Sequence, residues 1–457
     1  MSYPSIESYD LEAIVPAAGL SSRMTIFKPT LPLNSNSVIQ NTILSLKQAG
    51  IKNITVVTGF RSSELIRHLR PYRVTIRKNY SYKTSDMFSS VKLGIEQTKD
   101  KRDAFLILPA DIPLIRPSTI SGLVQAFKDN TKPVLVPRFN GQAGHPLIMS
   151  VSLRDSLMNW EGDYGLRGWL SRLKGRVGYV SVPDRAITLD LDTPNQYRYA
   201  LEMLPNRHIP DTQECKTLLN DVLSLDRDIV RHSETVAFLA CYLAGIVLNK
   251  SKKNNISGYK ISIDVQLLAA SCLLHDICKG LPDHGGQAAV YLKGLEFYEV
   301  AEVVATHMHY QASPGLLNEK ALLYWADKMV QGTSFIDPSI RFSRKLKEYP
   351  HARENILYRY QQVKRIESMF EEISGLSVKQ VINKNIENYA TTLSTETWQD
   401  LFVSYPATFY WTNRYCPKRG GNRVGQAMGK DTEANEHRYS HYQSVTTVSA
   451  DSRYHLP

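Results

Sequence analysis

A chain of 457 residues is too long for one ordinary hydrophobic core, so two or three domains are expected. Hydrophobic content of 42% with 22% charged residues excludes a fibrous chain or one disordered throughout. The formal charge of +11 is spread along the chain and not packed into a run, which favours phosphorylated small molecules as partners over nucleic acid.

No apolar stretch reaches the length needed to cross a bilayer; the nearest, Val236 to Leu248, reads as a buried helix, and no membrane partner is expected. The opening Met1-Ser2-Tyr3-Pro4-Ser5-Ile6-Glu7 lacks a basic region followed by an apolar one, so no signal peptide is predicted. Cys215, Cys241, Cys272, Cys278 and Cys416 are odd in number and scattered, which fits reduced thiols in a cytoplasmic protein.

The first informative stretch is Ala13 to Pro29. It begins as a short apolar strand, breaks at the small residues Ala17, Ala18 and Gly19, and passes through hydroxyls to the cations Arg23 and Lys28. Small side chains let successive backbone N–H groups approach a triphosphate, and the two cations balance its charge. A plain strand-to-helix turn with two surface cations has the same pattern.

From residue 10 to about 205, β-branched runs alternate with helical spacing. Strands are predicted at Ala13–Pro16, Ile54–Thr58, Val74–Arg77, Ala104–Leu108, Val134–Val136, Val177–Val182 and Ile187–Leu191. Helices are predicted at Val38–Ala49, Glu64–Leu69, Ser89–Gln97 and Thr119–Asp129. This order predicts an α/β domain on a mostly parallel sheet, with its ligand outside the carboxyl ends of the strands. Asp111 and Asp192 each follow an apolar run, and carboxylates at neighbouring strand ends can share one Mg²⁺ that also touches a triphosphate.

The ordered pieces Ala17-Ala18-Gly19-Leu20-Ser21-Ser22-Arg23-Met24 with Lys28, Val56-Val57-Thr58-Gly59, Asn79 followed by Ser85-Asp86-Met87, and Leu108-Pro109-Ala110-Asp111 span most of this domain. They continue with Gly144-His145-Pro146, Gly162-Asp163-Tyr164-Gly165-Leu166-Arg167 and Asp190-Leu191-Asp192-Thr193-Pro194. Together they resemble the nucleotidyltransferases related to molybdenum cofactor cytidylyltransferase. The resemblance implies a Rossmann-like fold and attack by an acceptor phosphate on the α-phosphorus of an NTP, releasing pyrophosphate. It implies nucleotide contacts at Ala17, Ala18, Gly19, Ser22, Arg23, Lys28, Thr58 and Gly59. Arg23 and Lys28 would stabilise phosphate charge, Asp111 and Asp192 would hold Mg²⁺, and His145 would shape the acceptor pocket. The Ala17-Ala18-Gly19 form resembles the cytidylyl branch, which makes CTP the preferred nucleotide and molybdopterin the model acceptor. One departure is Thr25, where relatives usually carry glycine.

After Pro205 to Pro210, a plausible linker, the pattern changes to long helices without strands over about 212 to 385. Ionisable residues sit on apolar stripes: His232 with Ile229, Val236, Leu239 and Leu243; His275-Asp276 closing the run from Leu267; His307 after Val300, Val303 and Val304; Asp327 between Leu323 and Val330. A buried carboxylate without a partner costs several kcal/mol, so a metal ion satisfies this set best. The set resembles the HD superfamily of metal-dependent phosphohydrolases, an all-α fold, through His232, His275-Asp276 and Asp327. The resemblance implies hydrolysis of a phosphate ester and a divalent transition metal such as Mn or Fe. His284 and His307 fall where relatives with a second metal place extra ligands, and Lys279 is a candidate phosphate contact.

Beyond Asn388 the periodicity fades, and 386–457 is predicted to be a disordered tail. The expected protein is a bifunctional enzyme. Open alternatives are a sugar- or alcohol-phosphate acceptor for the first domain, or a nucleotide-responsive regulator without turnover.

Overall fold

The β-branched runs of the first half pair into a single mixed sheet in this computed structural model, which describes residues 10–20, 24, 26–96, 98, 102–253 and 258–381. Ser22, Arg23, Thr25, Cys416 and the segment 386–457 lie outside the described residues. Across the sheet the main strands run Val177–Ser181, Val134–Phe139, Leu147–Ser150, Ala104–Ile107, Leu11–Ala17, Asn53–Thr58 and Thr75–Lys78. All pair in parallel except Leu147–Ser150, which is antiparallel to both neighbours. Leu11–Ala17 and Ala104–Ile107 are buried end to end because helices cover both faces; the one charged residue, Glu12, is paired with Arg102 at 2.9 Å. Strand order reverses on either side of Leu11–Ala17, and a crevice at such a switch point is where open α/β sheets bind ligands.

Two features of the sheet differ from expectation. Ile187–Leu191 forms no strand: Arg185–Thr188 is a 3₁₀ turn capped by Asp184, whose Oδ1 accepts from the Ala186 N–H at 3.0 Å. The segment is a strap laid across the strand ends, receiving the His145 N–H at the Ile187 carbonyl (2.8 Å) and donating from Leu191 N–H to the Asp111 carbonyl (3.0 Å). Gly144 permits this crossing, since a Cβ there would stand 2.4 Å from the Ile187 carbonyl oxygen. The unexpected strand Leu147–Ser150 is delivered by a tight reversal at Asn140-Gly141, where both φ angles are positive, as a two-residue hairpin turn requires.

The second half is helical, with Arg227–Lys253, Val265–Leu274, Tyr298–Thr306, Glu319–Lys328 and Arg353–Ser374 as its main helices. It is not free of strands: Lys260–Ser262 pairs with Leu316–Asn318, and Val330–Gln331 with Ser334–Phe335. Arg227–Lys253 is long and apolar enough by composition to cross a bilayer. Here it is the core helix: Val236, Leu239, Leu243 and Val247 are fully buried, each contributing about 1.5–3 kcal/mol. Val265–Leu274 is buried on nearly every face, and Trp325, Tyr324, Phe297 and Phe370 complete the core.

The predicted linker is locked in place. Arg116, 4% exposed, donates two parallel bonds to Glu214 on the first helix of the helical half, at 3.0 and 2.9 Å. Arg207 adds a contact to the same carboxylate at 3.2 Å and another to Asp184, while Arg116 stacks over the Phe297 ring with 4.7 Å to its centroid. Burial alone would raise the Glu214 pKa, but Arg116 and Arg207 hold it down to about 2.

Glu214→Gln takes the bidentate carboxylate from buried Arg116, which keeps only the more distant Asp184 at 3.8 Å, so the variant is expected to lose about 3–5 kcal/mol in urea unfolding of the full chain. Folded Glu214 binds its proton more weakly than the unfolded chain does. Its stabilising effect is therefore complete above about pH 5 and fades as the pH falls towards 2, a slope the variant should lack.

Candidate functional site

The carboxyl ends of the central strands enclose a cleft of about 580 Å³ lined by Ala17, Ala18, Gly19, Lys28, Asn79, Asp111 and Asp192. Lys28 begins a 3₁₀ turn whose preceding residue, Phe27, is buried edge-on against Phe60 at 5.6 Å between centroids. This anchor points the Lys28 ammonium inward, 2.9 Å from Asp111 Oδ2 and 2.6 Å from Asp192 Oδ1. Burial opposes the charge on Lys28, and the two carboxylates outweigh it, so its pKa lies above the ordinary lysine value.

Asp111 is fixed from both sides. The Thr42 hydroxyl donates to the Ala110 carbonyl at 3.0 Å, and the strap bonds to the Asp111 carbonyl through Leu191. That strap carries Asp192 to Asp111 from a loop, not from a neighbouring strand. Asp190 lies close by, its pKa raised by burial and then by the charges of Asp192 and Asp111.

Thr58 and Gly59 stand behind the cleft wall. The Thr58 hydroxyl pairs with Ser62 at 2.8 Å, and a Cβ on Gly59 would meet the Ala18 carbonyl at 2.7 Å and Tyr82 Cβ at 2.6 Å. They brace the Ala17–Gly19 loop. His145 sits beneath Asp111, with burial lowering its pKa and its Nδ1 without a hydrogen-bond partner. Asn79 lines the cleft and is oriented by Ser85 and Ser90 at 2.9 and 3.1 Å.

In the helical half, helix ends do the positioning. His275 and His307 each follow the last residue of a helix, and each Nδ1 faces the carbonyl three residues back, Cys272 at 2.7 Å and Val304 at 2.6 Å. His232, inside its helix, turns Nδ1 to the Gly332 carbonyl at 3.0 Å. A carbonyl only accepts, so all three Nδ1 atoms carry the proton and all three Nε2 atoms present lone pairs inward.

Those lone pairs face carboxylates. His232 Nε2 stands 3.3 Å from Asp327 Oδ1 and 3.7 Å from Asp276 Oδ2, and His275 Nε2 is 3.6 Å from Asp276 Oδ2. On the other side of Asp276, Oδ1 lies 3.5 Å from His284 Nε2 and 4.0 Å from His307 Nε2. The donors thus fall into two groups, His232/His275/Asp276 and Asp276/His284/His307, with Asp276 common to both. Asp327 adjoins the first.

His275 Nε2 is buried with no hydrogen-bond partner, and burial lowers the pKa of His275 and takes His307 down to about 3. Neutral imidazole lone pairs aimed at ionised carboxylates need a cation between them, and this donor chemistry fits a divalent ion. Asp276 and Asp327 stay ionised because burial is outweighed at Asp276 by Lys279 and at Asp327 by Lys328.

Lys279 Nζ pairs with Asp276 at 2.7 Å. Sequence reasoning passed over two neighbours: Lys328, 6% exposed and paired with Asp327, and Arg341, which donates to the Asp327 carbonyl at 2.5 Å. A lysine next to Asp327 on an otherwise inward stripe was the available signal. His309 lies outside the cluster, 3.4 Å from Arg359.

Residues 13–177 match the MobA-like NTP transferase domain family, and residues 229–330 match the HD domain family. Over 193 residues the chain is 28% identical to molybdenum cofactor cytidylyltransferase of Escherichia coli (strain K12), covering 42% of this chain and 96% of that protein. Among solved structures, Rv0371c from Mycobacterium tuberculosis H37Rv aligns at 22% identity and TM-score 0.39, covering 42% of this chain and 98% of that one. A nucleotidyl transferase from Methanothermobacter aligns at 22% identity and TM-score 0.39, covering 44% and 100%. The chain carries a nucleotidyltransferase domain followed by an HD domain.

Elemental analysis of the full chain dialysed against Mn²⁺ should find bound metal. Asp276→Asn is expected to weaken both donor groups by about 10- to 100-fold, whereas His284→Ala affects one. Equal metal content in wild type and Asp276→Asn would sink the shared-ligand arrangement.

Proposed function

We propose that the chain joins two phosphate chemistries. Its first domain transfers a nucleotidyl group, cytidylyl by preference, to a phosphate of a small acceptor such as molybdopterin, and its HD domain hydrolyses a phosphate ester. The observation that carries the first reading is the Lys28 ammonium held between Asp111 and Asp192 at the mouth of the Ala17–Gly19 loop. Similarity to the Escherichia coli cytidylyltransferase supports the choice of nucleotide and acceptor. The free thiols of Cys215, Cys241, Cys272 and Cys278 support a cytoplasmic setting.

In the transfer, an ionised acceptor phosphate oxygen forms a bond to the α-phosphorus while the bond to the bridging oxygen of the β-phosphate breaks, and pyrophosphate leaves with that electron pair. The acceptor is already deprotonated, so no side chain takes a proton. Lys28 holds the triphosphate and offsets charge gathering on the leaving oxygens. The backbone of Ala17, Ala18 and Gly19 admits the phosphates closely, and Asn79 shapes the adjoining wall. Asp111 and Asp192 would hold Mg²⁺, which supplies further charge neutralisation when bound.

In the HD domain, His232, His275, Asp276 and Asp327 would hold one divalent ion, with His284 and His307 completing a second group around Asp276. A bound divalent ion supplies Lewis-acid activation of water. Lys328 keeps Asp327 ionised and fixed, and Lys279 at the rim offers its ammonium to an incoming phosphate.

Pyrophosphate release from CTP with a phosphorylated pterin acceptor tests the first reading. Lys28→Ala and Asp111→Asn are each expected to lower it by about 10²- to 10³-fold. Undiminished release by Asp111→Asn would overturn the assignment. Phosphate-ester hydrolysis that survives Asp327→Asn would do the same for the HD domain.

A further inference from the structure

The HD domain gathers more positive charge beside Asp327 than its carboxylates neutralise. Lys328 is committed to Asp327 and to the His307 carbonyl at 3.4 Å. Arg341, on the helix Pro338–Glu348, gives its guanidinium to backbone, meeting the carbonyls of Asp327 and Val330 at 2.5 and 2.8 Å. One turn further along, Lys345 is half-buried and makes no hydrogen bond or ion pair among the described residues. It lies within electrostatic range of Arg341, Lys328, Asp327 and Arg359. Arg359 comes from the helix Arg353–Ser374, which packs against the Lys345 helix, and its guanidinium reaches His309 at 3.4 Å with no carboxylate partner among the described residues.

Asp327 is the acid among the groups that act most strongly on Lys345, and Lys328 already neutralises it. Burial, then Arg341 and Lys328, push the Lys345 amine below the ordinary lysine value. A cation half-withdrawn from water among other cations is held at a cost, and an anion lying across Lys345 and Arg359 removes that cost.

We propose that Lys345 and Arg359, backed by Arg341, form a second anion subsite beside the His/Asp cluster, so that the substrate of this site carries a phosphate group besides the one attacked. This deepens the phosphohydrolase reading above and rests on it for the identity of the attacked group. The substrate class is a small molecule with two or more phosphates, either contiguous, as in a nucleoside diphosphate, or separated, as in a nucleoside 3′,5′-bisphosphate. A substrate with one phosphate leaves the subsite vacant and binds more weakly.

Calorimetric titration of the full chain without added metal tests this through three probes: orthophosphate, pyrophosphate and adenosine 3′,5′-bisphosphate. A Lys28→Gln background weakens the other cleft, which also takes phosphates. In that background Lys345→Gln and Arg359→Gln should each weaken either pyrophosphate or the bisphosphate by about tenfold, and orthophosphate by less than about twofold. The probe affected reports whether the phosphates are contiguous or separated. Lys347→Gln, an equal charge change at an exposed position of the same helix, should alter none of the three, and Lys345→Arg should keep the wild-type affinities. No loss for either two-phosphate probe overturns the proposal, and so does an equal loss for orthophosphate. Titration reads binding without turnover, so its outcome is separate from the Asp327→Asn hydrolysis assay that decides the phosphohydrolase reading.

Discussion

Carboxylates gathered in a cleft of low dielectric repel one another strongly unless positive charge lies between them. Each candidate site in this chain is built around that constraint. In the first, Lys28 sits between Asp111 and Asp192 within hydrogen-bond distance of both. In the second, Lys328 answers Asp327 and Lys279 answers Asp276, while three imidazoles with fixed Nδ1 protons turn their lone pairs towards the same acids. Such an assembly is balanced but not neutral in detail. Each ammonium occupies carboxylate oxygens on which a metal ion would also draw.

The same currency of buried charge fixes how the halves meet. Arg116 follows the Asp111 loop by five positions, and its guanidinium is shared between Glu214, the Pro183 carbonyl and the face of Phe297. Phe297 immediately precedes the helix Tyr298–Thr306, whose end carries His307. The loop that presents one carboxylate of the first cleft is therefore in packing contact with the element that ends at His307 of the His/Asp cluster. Ser118 adds bonds to Leu295 and Glu296 at 3.3 and 3.1 Å. A buried pair of this kind adds little net stability over an apolar contact, but it tolerates only one relative orientation, because any slip leaves a charge unpaired.

Much of this was legible in the sequence, for identifiable reasons. Strands buried on both faces read as unbroken apolar runs, and His232, His275, Asp276, His307 and Asp327 stood out because ionisable groups on an apolar stripe need an explanation. Ile187–Leu191 misled because its alternation serves packing under a strap, where Ile187 and Leu191 are buried without any ladder partner. Leu147–Ser150 was missed because it is short and has one β-branched residue, although Asn140-Gly141 was a turn signal upstream of it. The small strand pairs of the HD domain are too brief to leave a period at all. Asp192 lies beside Asp111 across Lys28, yet the route that brings it there is tertiary and has no local signature.

The distribution of cations bears on what the net charge of +11 means. Arg116 and Arg207 are consumed at the junction, and Lys28, Lys279 and Lys328 are consumed inside the two sites. Arg341, Lys345 and Arg359 sit together beside one of them, half-buried and not spread over an open face. Nucleic acid binding draws on exposed cations that track a backbone over many ångströms and release counterions along it. Positive charge folded into pockets does the opposite: it is effective at short range, in partial exclusion of water, against compact anions of a few charges. The placement of these side chains, more than their number, is what the proposed choice of small phosphorylated molecules rests on.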